Sequence, residues 1–165
     1  MIILKFIGIG LFSAVIFALG LAAGRAYNDR LRYLTAFAAM VTRLRGYIEF
    51  DRGELAELYP LCAGGDVAPL DDAGFLSDAA VLGWDEAIKK LAGQIFIDGE
   101  TMAALTEFGG LLGKTCAEEQ LRNCDRTTAR LGEIIKIRTP EVAKKIKLCR
   151  ALGASAAMMA VLLLL

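Results

Sequence analysis

Apolar positions fall into three patterns along the chain. Residues 6–24 carry no charge, and as helix they would rise about 28 Å, close to the roughly 30 Å hydrocarbon core of a bilayer. From there Tyr27, Leu31, Leu34, Phe37, Val41, Leu44 and Ile48 recur every three or four residues, the period of one buried helical stripe. Arg30, Arg32, Arg43 and Arg45 fall on the other face, and no Gly or Pro separates Arg25 from Arg45. The pattern therefore predicts one rod from the membrane run to about Phe50, ended by Gly53.

Shorter segments follow. Residues 54–61 form a brief amphipathic stretch, and Pro60 with Gly64-Gly65 marks a turn. Between Pro69 and Gly74 the reading allows one short helix at about 71–77. With Ser77 as N-cap, Ala80, Val81, Trp84, Ile88 and Leu91 predict one apolar face ending near Gly93. Trp84, the only tryptophan, is expected in the core. Asp98-Gly-Glu100 opens a helix that turns Leu105, Phe108 and Leu112 inward and stops at Gly113. From Cys116 to about Arg138 the stripe is Leu121, Cys124, Thr128, Leu131 and Ile135. Thr139-Pro140-Glu141 has the composition of a new helix start, so a kink or short break is expected there. Val142, Ile146 and Cys149 then lead into residues 151–165, fifteen uncharged residues ending in four leucines. Alone, that run gives about 22 Å of helix, short of a span. Leu148 and Cys149 extend its apolar face, and Lys147 and Arg150 can snorkel to the headgroups.

No segment alternates with a period of two. The expected fold is all-α: an N-terminal transmembrane anchor (1–24), a helical bundle (25–150) and a C-terminal transmembrane segment (151–165). Small residues in both runs offer close-packing faces. These are Gly10, Ala14 and Ala18, and Gly20 with Gly24, in the first run; Gly153 and Ala157, with Ala156 and Ala160, in the second.

Composition agrees, with 56% hydrophobic residues and a mean hydropathy of +0.49. The 19 basic and 19 acidic residues balance, so bulk attraction to nucleic acid is not indicated. Their distribution carries the information. Arg25, Arg30 and Arg32 follow the first apolar run, and Lys144, Lys145, Lys147 and Arg150 precede the second, with only Lys5 on the far side. Cytoplasmic flanks are enriched in Lys and Arg, so both termini are expected outside and the bundle in the cytoplasm. Between Glu49 and Glu107, thirteen acidic residues face only Arg52, Lys89 and Lys90, a net charge of −10. This acidic middle, with Glu54, Glu57, Asp71 and Asp72 as candidates, suggests a partner surface.

Candidate chemistry is sparse. There is no histidine, which removes Ser-His-Asp and Cys-His catalysis and His-containing zinc sites. Cys62, Cys116, Cys124 and Cys149 form no CxxC pair and read as separate thiols. Asp71-Asp72 lacks a third metal ligand. Gly109-Gly-Leu-Leu-Gly113-Lys114-Thr115 resembles a phosphate loop, but the first required glycine position holds Phe108 and no strand precedes it. No catalytic residue, cofactor or metal is assigned. Two alternatives stay open: a membrane-anchored nucleotide-dependent regulator using Lys114-Thr115, and an exported helical domain with a cleaved signal peptide and two disulfides. The signal reading draws on Lys5 and small-residue pairs such as Gly20 with Ala22 or Ala22 with Gly24; the run's length and the arginines after it argue for an uncleaved anchor.

In order and spacing the chain resembles the stage III sporulation protein AB family of endospore-forming bacteria. The resemblance rests on an anchor running into a long helix that ends at Glu49, on Trp84 with Ile88, on Leu105-x-x-Phe108-Gly109-x-x-Leu112-Gly113, on Gln120, and on Lys147-Leu-Cys149-Arg150-Ala-Leu-Gly153. The chain departs from the family pattern at Cys149, usually aromatic, and at Pro140. The resemblance implies a non-catalytic component of the channel between mother cell and forespore, with a domain similar to that of type II secretion inner-membrane platform proteins. It implies as partners a secretion-type ATPase, the sister protein AA, and other membrane components of the channel. It also implies residence in the membrane, with the central domain in the mother-cell cytoplasm. A homo-oligomer is left open.

Overall fold

The computed structural model describes residues 2–51 and 53–164, with side chains described for 11–51, 53–159, 161 and 162. Among the described residues seven helices follow one another: α1 (Ile2–Phe50), α2 (Leu55–Leu61), α3 (Ala68–Asp72), α4 (Phe75–Leu82), α5 (Trp84–Ala92), α6 (Gly99–Leu111) and α7 (Ala117–Leu164). A single 3-10 turn at Gly65–Val67 precedes α3, and no strand occurs among the described residues. The chain divides into two compact units, Met1–Asp29 with Arg138–Leu165, and Arg30–Ile137.

The larger unit is a bundle built on the expected stripe of α1. Leu34, Phe37, Val41, Leu44 and Ile48 are buried, joined by Ala36 and Met40. The stripe of α7 also lies inward, with Cys124 and Leu131 fully buried and Leu121 and Ile135 packed at its margin. Ile134, Asn123 and Thr127 add to that buried face. The short helices close the remaining sides, α2 and α3 both packing on α4.

Three expectations in the middle of the chain fail. The single short helix at 71–77 is replaced by the 3-10 turn, α3 and the start of α4. Ser77 lies inside α4, where its hydroxyl donates to the Gly74 carbonyl, so it is not an N-cap. Nor does Val81 share the buried face with Trp84, for it is 82% exposed, while Ala80 packs at the margin of the core. The cause is Gly83, whose φ of +83° is strained for any residue with a Cβ. It breaks the helix after Leu82 and resets the phase, so Phe75, Leu76 and Ala79 turn inward on α4 and Trp84, Ala87, Ile88 and Leu91 on α5.

The helix starting near Asp98 forms as expected: Asp98 caps α6, its carboxylate accepting from the Thr101 amide at 3.1 Å and the Thr101 hydroxyl at 3.0 Å. Arg43, expected on the solvent face of α1, instead donates through one guanidinium nitrogen to the carbonyls of Cys62, Ala63 and Gly64 at 2.8–2.9 Å. These carbonyls follow α2, where orphan acceptors need partners.

The smaller unit is an antiparallel pair of helical legs. Gly20 of α1 lies against Cys149 and Gly153 of α7, while Gly24 meets Ile146. A Cβ on Gly20 would come within 2.9 Å of the Cys149 carbonyl oxygen and 3.0 Å of the Gly153 Cα. Gly24 and Gly153 are buried, and Ala157 is half-buried. Of the two small-residue faces expected on α1, the Gly20/Gly24 pair makes the contact; Ala14 and Ala18 are exposed, and the side-chain position of Gly10 lies outside the described residues. On α7, Ala156 is exposed and Ala160 lies outside the described side chains. Helix α7 passes through Pro140 without a break, because losing one amide donor and one carbonyl contact is tolerable within a helix of 48 residues held at both ends.

Among the described residues one helix is long and apolar enough to cross a membrane, an α1 window within Leu11–Phe50. Its exposed apolar side chains include Leu11, Phe12, Val15, Phe17 and Leu19. Residues 151–165 do not meet that test within the described residues, although Leu152, Met158, Met159 and Leu162 are likewise exposed.

Candidate functional site

The sequence motifs converge on Trp84, at the N-terminus of α5. Its indole is 5% exposed and donates from Nε1 to the Leu105 carbonyl at 2.9 Å. Phe108 meets it edge-on at 4.9 Å between centroids, Phe75 at 5.4 Å and Phe37 at 6.4 Å. Tyr59 completes the cluster at 6.2 Å, and burial raises its phenol pKa well above the ordinary value. Gly109 is the floor of this pocket: a Cβ there would stand 2.1 Å from Trp84 Cδ1 and 2.8 Å from Nε1. Leu105, Phe108 and Gly109 thus form one receptor for the indole, spaced along α6 so that a helical turn brings them to the same side.

The neighbouring motif residues hold the α6–α7 corner. Leu112 is buried, and Gly113 adopts a φ of +75° with a Cβ position 2.9 Å from Leu55 Cδ1. Gln120 Nε2 donates to the Thr115 carbonyl at 3.0 Å, and Asn123 Nδ2 to the Phe108 carbonyl, also at 3.0 Å. Glu49 accepts from Arg45 at 2.7 Å, and Arg45 reaches Asp125 of α7 at 2.6 Å. Exposed pairs of this kind contribute little stability but align α1 with α7. Arg150 and Gly153 belong to the other unit; Arg150 is exposed and Gly153 is buried against Gly20.

This is core architecture. The phosphate-loop resemblance dissolves here, because Gly109 and Gly110 lie within α6 and Lys114 and Thr115 in the turn after it. Amides bonded within a helix cannot curl around a phosphate. No group of three His, Cys, Asp or Glu residues able to hold a metal ion occurs among the described residues. All four cysteines are unpaired. Burial pushes the Cys62 thiol up to about 11 and that of Cys124 to about 12, the reverse of an activated nucleophile.

The surface is where chemistry remains available. Glu54, at the N-cap of α2, and Glu57 in its first turn are exposed, as are Asp71 and Asp72 at the end of α3. Near the end of α1, an open groove of about 570 Å³ is lined by Arg43, Gly46, Tyr47, Phe50, Asp51, Leu61 and Ala63. Phe50 is 85% exposed at its edge, and the Tyr47 hydroxyl donates to the Leu61 carbonyl at 3.0 Å. Sequence periodicity could not find this groove, which depends on how the chain returns after the helix. The Trp84–Gly109 contact had a signal, since a glycine inside an apolar helical pattern usually has a packing reason.

No curated protein and no solved structure matched the chain. The model of one family, described as stage III sporulation protein AB, matches residues 77–165, just over half of the sequence. That segment holds the Trp84 receptor, the α6–α7 corner and the second leg of the helical pair. The family is a sporulation-stage family and not a known enzyme family, and this chain belongs to it.

Proposed function

We propose that the protein is a non-catalytic membrane platform of the channel between mother cell and forespore. In this reading both legs of the smaller unit span the membrane as a hairpin, and the bundle lies in the mother-cell cytoplasm, where it couples a secretion-type ATPase to the membrane assembly. The carrying observation is the continuity of α1, which joins a run apolar enough to cross a membrane to the bundle core of a sporulation-family protein. The basic residues flanking both apolar runs support the orientation. The Gly20–Gly153 contact supports the second leg, because a short apolar segment gains from packing closely on a partner.

The exposed carboxylates Glu54, Glu57, Asp71 and Asp72 are the surface we assign to the ATPase, through charge complementarity. The test is binding of the purified ATPase to the full-length protein in nanodiscs, with and without charge reversal at those four positions. Loss of binding on reversal supports the assignment; unchanged binding removes it. In parallel, saturable ATP binding that disappears in Lys114→Ala would replace the platform with a nucleotide-dependent regulator.

A further inference from the structure

A second groove, of about 490 Å³, opens beside the indole receptor within the larger unit. Leu55, Ala56, Ala80 and Leu82 line it at the surface, and Tyr59 and Trp84 line it from the core. The break at Gly83 creates it. Helix α4 ends there with Val81 and Leu82 exposed, and Gly83 has no side chain to fill the open space around it. Exposed apolar side chains rimmed by polar ones mark a protein contact.

Tyr59 is the group in this groove that the fold leaves unsatisfied. It is 3% exposed, yet its hydroxyl has no hydrogen-bond partner among the described residues, whereas buried polar groups are ordinarily paired. Burial above all, with Cys62 and Asp85 adding to it, raises the phenol pKa, so the hydroxyl stays neutral and can donate or accept. Exposed Asp85 lies on the rim and takes part in no salt bridge among the described residues. Nor do Glu54 and Glu57, which flank Leu55 and Ala56 on α2. Glu86 is paired with Lys89, so Lys114 alone on the rim opposes these three carboxylates.

We propose that this groove receives the apolar face of a basic amphipathic helix from the partner protein, with a basic side chain of that helix reaching Asp85 and the Tyr59 hydroxyl. The unmatched carboxylates select a basic partner. The fold selects a helix, because no strand occurs among the described residues to offer an edge to an extended segment, while apolar side chains three and four residues apart on a helix enter a groove together. A lysine or arginine at the rim would pair Asp85 and give Tyr59 the donor it lacks. The inference rests on the ATPase reading above and adds the mode of docking to it: Glu54 and Glu57 steer the approach, and the groove holds the helix.

The test measures binding of the purified ATPase to full-length variants in nanodiscs, each checked for folding by circular dichroism. Ala56→Trp and Leu82→Asp, both at exposed positions lining the groove, fill it or make it polar, and each should weaken binding about tenfold or more, the loss of a buried apolar anchor. Ala129→Trp, exposed on α7 and no part of the groove, should leave binding unchanged. Tyr59→Phe keeps the ring and removes a hydroxyl that no group of the bundle needs; it should weaken binding about fivefold, the worth of one hydrogen bond. Wild-type binding by Ala56→Trp and Leu82→Asp, with binding lost on reversal of the four carboxylates, overturns the inference and leaves the ATPase assignment standing. Unchanged binding by Tyr59→Phe overturns the role of the hydroxyl. If the groove variants alter self-association and leave ATPase binding intact, the occupant is a second copy of this chain and the inference is overturned. No binding by the wild-type protein overturns both readings.

Discussion

Replacing Gly109 with alanine adds one methyl group to the floor of the Trp84 receptor. The new carbon would lie 2.1 Å from Trp84 Cδ1 and 2.8 Å from both Nε1 and Asp85 Oδ1. The indole cannot simply swing away, because it is held by the Leu105 carbonyl and wedged among Phe37, Phe75 and Phe108. Overpacking a tight core costs about 1–3 kcal/mol, and loosening the indole hydrogen bond costs about 1 kcal/mol more. Against this, Gly→Ala in a helix interior returns about 1 kcal/mol. The net expectation is a loss of about 1–3 kcal/mol. Gly110 is the internal control: it also lies in α6, but a Cβ there meets nothing within 4 Å, so Gly110→Ala should gain up to about 1 kcal/mol. Urea unfolding of the detergent-solubilised protein, followed by the fluorescence of its single tryptophan, compares the two. Equal midpoints, or a more stable Gly109→Ala, would refute the receptor account.

Other consequences follow from the same geometry. Gly20→Leu should separate the helical legs, since its Cβ alone nearly touches the Cys149 carbonyl and Gly153; Ala14→Leu, at an exposed site, should not, and thermal melting of the solubilised protein would distinguish them. Asp98→Ala removes the α6 cap, with an expected cost of about 1 kcal/mol by the same urea assay. Exposed Cys116 should react first with an aromatic disulfide reagent, and buried Cys62 and Cys124 only on unfolding. Both buried thiols have folded pKa values above the ordinary value of 9.0, at about 11 and about 12. Their contribution is therefore intact below about pH 9 and lost as pH rises through that window, because the unfolded thiols ionise first. A pH series of unfolding midpoints should fall there, less steeply in Cys62→Ala.

Long-range architecture was legible where one physical signal dominated. The α1 stripe from Leu34 to Ile48 and the α7 stripe through Cys124 and Leu131 could be read from period alone, because a helix of many turns has no competing way to bury them. Trp84 was legible as core for a different reason, because large aromatic side chains carry most of their area into the interior. The region around residues 71–83 was not. There Gly83 resets the helical phase, and a run such as Ala80-Val81 fits a buried face only if the helix is assumed to continue. At Pro140 the expectation was a kink or a break: the local signature of a helix start is real, but α7 continues through it, so no break occurs. The motif residues were found as a spaced pattern, yet their common purpose as an indole receptor required the fold, since Trp84 and Gly109 are 25 positions apart. Arg43's grip on three carbonyls was hidden altogether, for an arginine on a polar face carries no mark of its partner.

The platform reading is tested most directly by isolating the full-length protein from sporulating cells in mild detergent and identifying what accompanies it. The account predicts that a secretion-type ATPase and other membrane components of the channel co-isolate, and that the ATPase is lost selectively when Glu54, Glu57, Asp71 and Asp72 are reversed in charge. Recovery of the protein alone, at a stage when the ATPase is present in the same membranes, would contradict it.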